Sequence, residues 1–169
     1  MKLTSILRPL FAVILFTSIL ISCDDDPTRV DYSSVPDAFS IENPDSSVTL
    51  ESGLQIYIVE EGVGQFKTDI RDAISFFYTK RLKENKDRIL GSSYINNVTV
   101  PIPANINALS RTIDMAGLQQ GLVGMKEQEK RVLVIPPDIG YGNTNSSYSQ
   151  DTIWVDVELD QITSPRKLR

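Results

Sequence analysis

The sequence predicts an α+β domain in which a twisted antiparallel β-sheet wraps around one short α-helix. Two observations support this fold class. Several segments alternate apolar and polar residues, as half-buried strands do, whereas only one segment has apolar residues at helical spacing. The chain has 169 residues, enough for one domain with a leader and a linker, and its sequence shows no internal repeat.

The predicted folded domain spans residues 48–164 and opens with a strand. Leu54, Ile56 and Ile58 occupy every second position, which places them on one face of that strand. The run from Glu61 to Gly64 contains two glycines, and it predicts a turn or bulge where the strand ends.

The middle of the chain predicts one further strand and one region without a clear pattern. Residues 73–78 alternate in the manner of a strand, and a charged turn follows at residues 83–87. Residues 92–106 fit no element, and Pro101 and Pro103 argue against a central strand there.

One helix is predicted within residues 109–125. Thr112 or Asp114 can cap its start, and Gly124 stands where a helix would end. Its apolar stripe is formed by Met115, Leu118, Leu122 and Met125. A stripe of this kind ordinarily packs into a hydrophobic core.

Two strands are predicted after the helix. Residues 131–135 form an apolar run that two prolines end. Residues 153–159 show the clearest alternation in the chain, which stops at Gln161, where the apolar face would need another apolar residue. This last strand is predicted to have one face buried and one face in water.

Composition excludes several classes of chemistry. The net charge of −5 gives no electrostatic support to a nucleic-acid partner. The absence of histidine excludes Ser-His and Cys-His nucleophilic catalysis and histidine-bound metals. The single cysteine, Cys23, excludes an intrachain disulfide and a multi-cysteine metal site.

The N-terminus predicts a lipoprotein signal peptide over residues 1–22. Lys2 and Arg8 give a basic start, and an uncharged run of residues 10–21 is short for a membrane span. The run ends at Cys23 in a sequence that resembles a bacterial lipobox, so lipidation of Cys23 is predicted. A plain secretory signal with a chance cysteine is the alternative.

The segment after Cys23 predicts a flexible tether over residues 23–47. It begins with three aspartates and is rich in Asp, Ser and Pro. Residues 165–169 are assigned to a C-terminal tail. Together these features predict a protein of the bacterial cell envelope, anchored by lipid with the outer membrane favoured, and facing the periplasm or the cell surface.

Two adjoining motifs carry a family resemblance. Residues 117–130 read GLQQGLVGMKEQEK, and residues 131–142 read RVLVIPPDIGYG. A glycine-spaced helix followed by a strand that stops at Pro-Pro and a tyrosine between two glycines resembles the second half of an FKBP-type peptidyl-prolyl isomerase domain. The resemblance runs from about Ser52 to Ile162, except for residues 92–110.

The resemblance implies a small apolar pocket. Tyr141 would donate its hydroxyl to the substrate carbonyl before the proline, and Met115 would contribute its backbone N–H. Leu118 would form the floor. The walls would be Tyr78, Leu90 and Val155.

Several of these positions differ from the family pattern. The floor tryptophan is Leu118, a wall phenylalanine is Leu90, and the aromatic of the last strand is Val155. Gly91 stands where the family has a pocket aspartate, and Lys80 stands where it usually has glycine. The resemblance therefore implies a pocket with fewer aromatic side chains than the family norm.

The implied chemistry needs neither a nucleophile nor a cofactor. Rotation about an Xaa-Pro bond has a barrier of about 18–20 kcal/mol, which amide resonance sets. The twisted bond is less polar than the planar one, so a dry apolar pocket favours it. Proline-containing polypeptides, exported proteins among them, are the implied partners.

Two other interpretations stay open. An FKBP-like module could bind polypeptides or serve an envelope assembly with weak or no turnover. An anchored structural lipoprotein without a ligand would have its pocket filled by its own side chains. The sequence does not fix the oligomeric state.

Overall fold

The structure is a computed structural model that describes residues 29–109 and 115–163. The predicted signal peptide, Cys23 and the C-terminal tail lie outside the described residues. So do Thr112 and Asp114, the two predicted helix caps.

The described residues contain short strands, one α-helix and two 3-10 turns. The strands are β1 (Ser46–Thr49), β2 (Gln55–Glu60), β3 (Ala73–Leu82), β4 (Ile89–Ser92), β5 (Tyr94–Ile95), β6 (Val98–Thr99), β7 (Ile102–Asn105), β8 (Lys130–Ile135) and β9 (Ile153–Ile162). Helix α1 spans Ala116–Leu122, and the 3-10 turns span Ile106–Ala108 and Pro137–Ile139. This composition confirms the predicted α+β class.

One antiparallel sheet forms the body of the domain. Its strands lie in the order β1-β2-β8-β9-β3, and β3 then pairs with both β4 and β7 along its far edge. Strands β5 and β6 form a separate hairpin. Strand β9, the last of the described strands, lies between β8 and β3, so it joins the two halves of the sheet.

Strand β7 is an edge strand, as its proline requires. Pro103 lies opposite Ser75, and β7 pairs with β3 alone. A proline cannot donate a hydrogen bond to a neighbouring strand, which restricts it to such positions. The expectation that Pro101 and Pro103 exclude a central strand therefore agrees with the structure, but the short strands between residues 89 and 105 were not predictable from periodicity.

Helix α1 covers the inner face of the sheet. All four residues of its predicted stripe are fully buried: Met115, Leu118, Leu122 and Met125. The helix approaches β8 closely because Gly117 and Gly121 face it. A β carbon on Gly117 would lie 2.5 Å from Ile135 Cγ2, and one on Gly121 would lie 2.3 Å from Leu133 Cδ1.

A buried arginine holds the end of α1. The Arg131 guanidinium donates hydrogen bonds to the carbonyl oxygens of Gly121 and Val123, at 2.8 and 3.1 Å, and pairs with Glu129. A cation at this position satisfies the free carbonyls at a helix C-terminus. Gly124 follows with a φ of +80°, so the helix ends where the glycine predicts.

A bulge in β9 explains why its alternation stops at Gln161. Gln161 pairs with Ser75 and Leu159 pairs with Phe76, so Asp160 has no residue opposite it. The extra residue shifts the register by one position. Ile162 consequently returns to the inner face and is buried, which a strict period of two does not predict.

The outer face of the sheet is covered by the segment that precedes β1. Phe39 packs near Trp154, and its backbone N–H donates to Asp156 at 3.2 Å. Arg81 donates to the carbonyl of Pro36 and lies 3.3 Å from the Asp156 carboxylate. Trp154 and Asp156 are therefore buried, whereas the sequence predicts a water-exposed face.

These contacts correct the predicted tether. Residues 29–47 were expected to have little fixed structure, but they pack against the sheet and lead into β1. The N-terminal end of the segment is also held, because Asp31 and Asn96 exchange hydrogen bonds of 2.8 and 2.9 Å. The folded part therefore extends further towards the N-terminus than residue 48. The sequence did not predict this because irregular contacts of this kind leave no periodic pattern.

Candidate functional site

Three of the predicted site residues, two walls and the hydroxyl donor, come from three different elements. Tyr78 lies on β3, Leu90 lies on the adjoining β4, and Tyr141 follows the 3-10 turn after β8. All three are half-buried and pack against the core beneath α1. The fold therefore brings together side chains that lie far apart in the sequence.

The other three predicted residues are the backbone donor Met115, the floor residue Leu118 and the wall residue Val155. Met115 precedes α1, Leu118 lies in it, and Val155 lies on β9. Each has 0% of its surface exposed. All six predicted residues thus belong to one cluster, with three of them at its surface and three fully covered.

The Tyr141 loop is tightly turned. The backbone N–H groups of Gly140 and Gly142 both donate to the carbonyl of Pro137, at 3.0 and 2.7 Å. A β carbon on Gly142 would lie 2.6 Å from that same oxygen, so only glycine fits there. The Thr144 hydroxyl donates to the Tyr141 carbonyl at 2.7 Å. These bonds fix the direction in which Tyr141 leaves the backbone.

The Tyr141 hydroxyl oxygen accepts a hydrogen bond from Lys80 Nζ at 3.1 Å. The same nitrogen lies 5.8 Å from the ring centroid of Tyr78 and 5.8 Å from that of Tyr141. In this bond the Tyr141 oxygen is the acceptor and Lys80 is the donor. The hydroxyl proton of Tyr141 is therefore free to donate to another acceptor.

Lys80 is the residue that sequence reasoning missed. The resemblance marks it as a departure from the family glycine but implies no role for it in the site. The available signal was positional, because Lys80 follows Tyr78 by two residues on one strand and therefore shares its face.

The polar loop after Tyr141 contacts the turn beside β4. Tyr148, the one large side chain in residues 143–150, accepts a hydrogen bond from Arg88 at 3.0 Å. This contact joins the loop that carries Tyr141 to the strand that carries Leu90. It is exposed, so its contribution to stability is small.

A separate cavity of about 180 Å³ lies on the opposite face of the sheet. It is bounded by the N-terminal segment, and Phe39, Phe77, Tyr94, Lys130, Asp156 and Glu158 are part of its lining. Of the six candidate site residues, only Tyr78 also lines it. Burial raises the pKa of Asp156 above its ordinary value despite the nearby Arg81. Tyr141, Leu90 and Leu118 do not line this cavity.

Within residues 29–109 and 115–163, no three acidic side chains are grouped so as to hold a metal ion. Over the same residues, no helix is sufficiently long and apolar to cross a bilayer.

The comparisons with known proteins agree with the order of these elements. The family model for FKBP-type peptidyl-prolyl cis-trans isomerases matches residues 64–160, more than half of the chain. The chain belongs to this family. The match includes the candidate site residues from Tyr78 to Val155 and confirms the resemblance carried by residues 117–142.

Individual relatives support the assignment. The chain is 32% identical over 124 residues to the peptidyl-prolyl cis-trans isomerase Mip of Chlamydia muridarum, covering 72% of this chain and 47% of that protein. It is 28% identical over 134 residues to Mip of Chlamydia pneumoniae, covering 78% and 48%. The chain thus spans about half the length of these FKBP relatives.

A solved structure supports the fold. FkpA from Escherichia coli aligns with a TM-score of 0.58 and 26% identity, over 72% of this chain and 54% of that one. An FKBP-like sheet and helix are therefore shown both by the family model and by structural similarity.

Proposed function

We propose that this FKBP-family chain is a peptidyl-prolyl cis-trans isomerase that acts on Xaa-Pro bonds of exported proteins at the bacterial cell envelope. The observation that carries the proposal is the Tyr141 hydroxyl, which a tight loop positions and whose oxygen already accepts a bond from Lys80. Its proton is therefore available to a substrate carbonyl.

The surroundings of Tyr141 suit this reaction. The Tyr78 ring and the Leu90 side chain offer an apolar surface to a proline, and both rest on a packed core. A less polar surface favours the twisted imide over the planar one. Met115 would add its backbone N–H, and Leu118 and Val155 would support the surface from below.

We also propose that the chain is anchored to a membrane of the cell envelope. Residues 1–22 would be removed as a signal peptide, and a lipid on Cys23 would anchor the chain to a membrane, with the outer membrane favoured. The clients would be proline-containing polypeptides that fold after export. Mass spectrometry of the membrane fraction tests the anchor, because Cys23→Ser should abolish the mass of the acyl chains.

A proline-limited refolding assay on the full chain tests the activity. We expect acceleration that rises in proportion to the chain concentration, since uncatalysed isomerisation takes tens to hundreds of seconds. A rate equal to the uncatalysed one at the highest chain concentration would contradict the isomerase proposal.

One observation favours a second candidate, a polypeptide-binding lipoprotein with weak or no turnover. Met115, Leu118 and Val155 are fully covered, so a proline ring reaches them only after the side chains above move. Titration with a proline peptide followed by NMR separates the two. Shifts at Tyr141 without faster cis-trans exchange in the peptide would favour the binding protein.

A further inference from the structure

Lys80 brings a positive charge into the candidate site. Its side chain is half-buried, its Nζ donates to the Tyr141 hydroxyl oxygen at 3.1 Å, and it lies 5.8 Å from two aromatic centroids. Ring faces attract a cation but leave its charge uncompensated. The site therefore combines an apolar surface with one ammonium group.

No carboxylate of the described residues lies within 4 Å of the Lys80 ammonium. None of the ion pairs between described residues includes Lys80. Other lysines differ in this respect, because Lys126 lies 3.3 Å from Glu61 and Lys130 lies 2.6 Å from Glu60. The ammonium of Lys80 is thus held near Tyr141 by groups that carry no negative charge.

Gly91 makes room for this arrangement. Lys80 and Gly91 are direct partners across β3 and β4. A β carbon on Gly91 would lie 3.2 Å from Lys80 Cε and 3.7 Å from Nζ. The resemblance places an aspartate at position 91 and glycine at position 80, so this chain has exchanged a negative group in the site for a positive one.

We propose that Lys80 makes the site select polypeptides with Asp or Glu immediately before the proline. This inference rests on the proposed function, in which Tyr141 donates to the carbonyl of that same residue. A hydrogen bond of about 2.8 Å to the carbonyl places the ammonium within about 6 Å of the carbonyl oxygen. An acidic side chain on that residue can reach the ammonium.

The chemistry favours a carboxylate over other groups at this point. A carboxylate on the substrate complements the ammonium, because no described carboxylate lies within 4 Å of it. A lysine or arginine before the proline would place like charges together, which disfavours such substrates. The Lys80 side chain alone would therefore set the preference for Asp or Glu before the proline.

The test compares peptides that differ at one position. The full chain is assayed on otherwise identical peptides with Glu-Pro, Gln-Pro, Leu-Pro or Lys-Pro. We expect kcat/KM for Glu-Pro to exceed that for the isosteric Gln-Pro by about fivefold, as a partly exposed ion pair allows. The ratio should fall towards one in high salt.

Variants assign the preference to Lys80. Lys80→Met keeps an unbranched apolar side chain and should bring the Glu-to-Gln ratio to about one, whereas Lys80→Glu should make Lys-Pro the better substrate. Lys126→Met removes a paired lysine outside the site and should leave the ratio unchanged. Each ratio compares kcat/KM for two peptides on the same variant, so a change in the overall activity of that variant does not affect it.

The outcomes separate this inference from the proposed function. Turnover with a ratio near one in the unmodified chain overturns the inference and leaves the isomerase intact. If no peptide is accelerated, the isomerase proposal fails, and NMR titration with the Glu-Pro and Gln-Pro peptides decides the inference. Tighter binding of Glu-Pro that Lys80→Met abolishes supports it, and equal affinities overturn it.

Discussion

The Lys80 ammonium and the Tyr141 hydroxyl are joined by a hydrogen bond of 3.1 Å, and Tyr141 makes no other side-chain bond within the described residues. Tyr141→Phe removes this hydroxyl and little else. We expect the fold to stay intact and kcat/KM to fall about fivefold to tenfold, the effect of one lost hydrogen bond to substrate. Thermal unfolding followed by circular dichroism checks the fold. An unfolded variant would show that Tyr141 is structural.

The contact between α1 and β8 depends on Gly121. A β carbon there would meet Leu133 Cδ1 at 2.3 Å and Cδ2 at 2.6 Å, and Gly121 is buried. We expect Gly121→Ala to lower the free energy of unfolding by about 1–3 kcal/mol through overpacking, measured by urea denaturation. Gly91→Ala is the matched control, because its nearest neighbour is the flexible end of Lys80. Equal stability of the two variants would contradict the close-packing argument.

We expect the buried Asp156 carboxyl to make the free energy of unfolding depend on pH. Burial raises its pKa in the folded chain, so the folded chain binds this proton more tightly than the unfolded chain. Its favourable contribution is fully present below the unfolded pKa of about 3.9 and is lost as pH rises through the folded pKa. The stability of the wild type relative to Asp156→Asn should therefore decrease from acid to neutral pH, measured by denaturation at each pH. If the stability of the wild type relative to Asp156→Asn instead increased from acid to neutral pH, the prediction would be wrong.

Trp154 is the only tryptophan of the chain and is 2% exposed beneath the N-terminal segment, so its emission reports on that segment. We expect Phe39→Ala to shift the emission to longer wavelength by admitting water to the indole. Val63→Ala removes a side chain that is exposed elsewhere and should leave the spectrum unchanged. A blue-shifted or unaltered spectrum in Phe39→Ala would mean that the segment does not shield Trp154.

The sequence predicts the fold wherever its patterns are regular. The helical stripe through Leu118 and the alternation that ends at Leu159 are buried as expected. The bulge at Asp160 was not predictable, because one inserted residue changes which face later residues occupy. Periodicity also misses the packing of Phe39, since an irregular segment buries single side chains without repeating.

The candidate site was predicted less completely than the fold. The resemblance identified residues that the fold brings into one cluster, including Tyr78, Leu90 and Tyr141. It did not predict that Leu118 would have no exposed surface, because burial depends on which side chains lie above it. The role of Lys80 depends on a contact with Tyr141 that only the folded chain creates.

The packing of the N-terminal segment also limits the distance between the domain and its membrane. Asp31 is bound to the β5–β6 hairpin, so seven residues lie between it and Cys23. An extended chain of that length reaches about 30 Å, against about 80 Å for a tether running to residue 47. With the proposed lipid on Cys23, this short connection would keep the domain within about 30 Å of the bilayer surface. The domain would then bind only polypeptides that come close to the membrane.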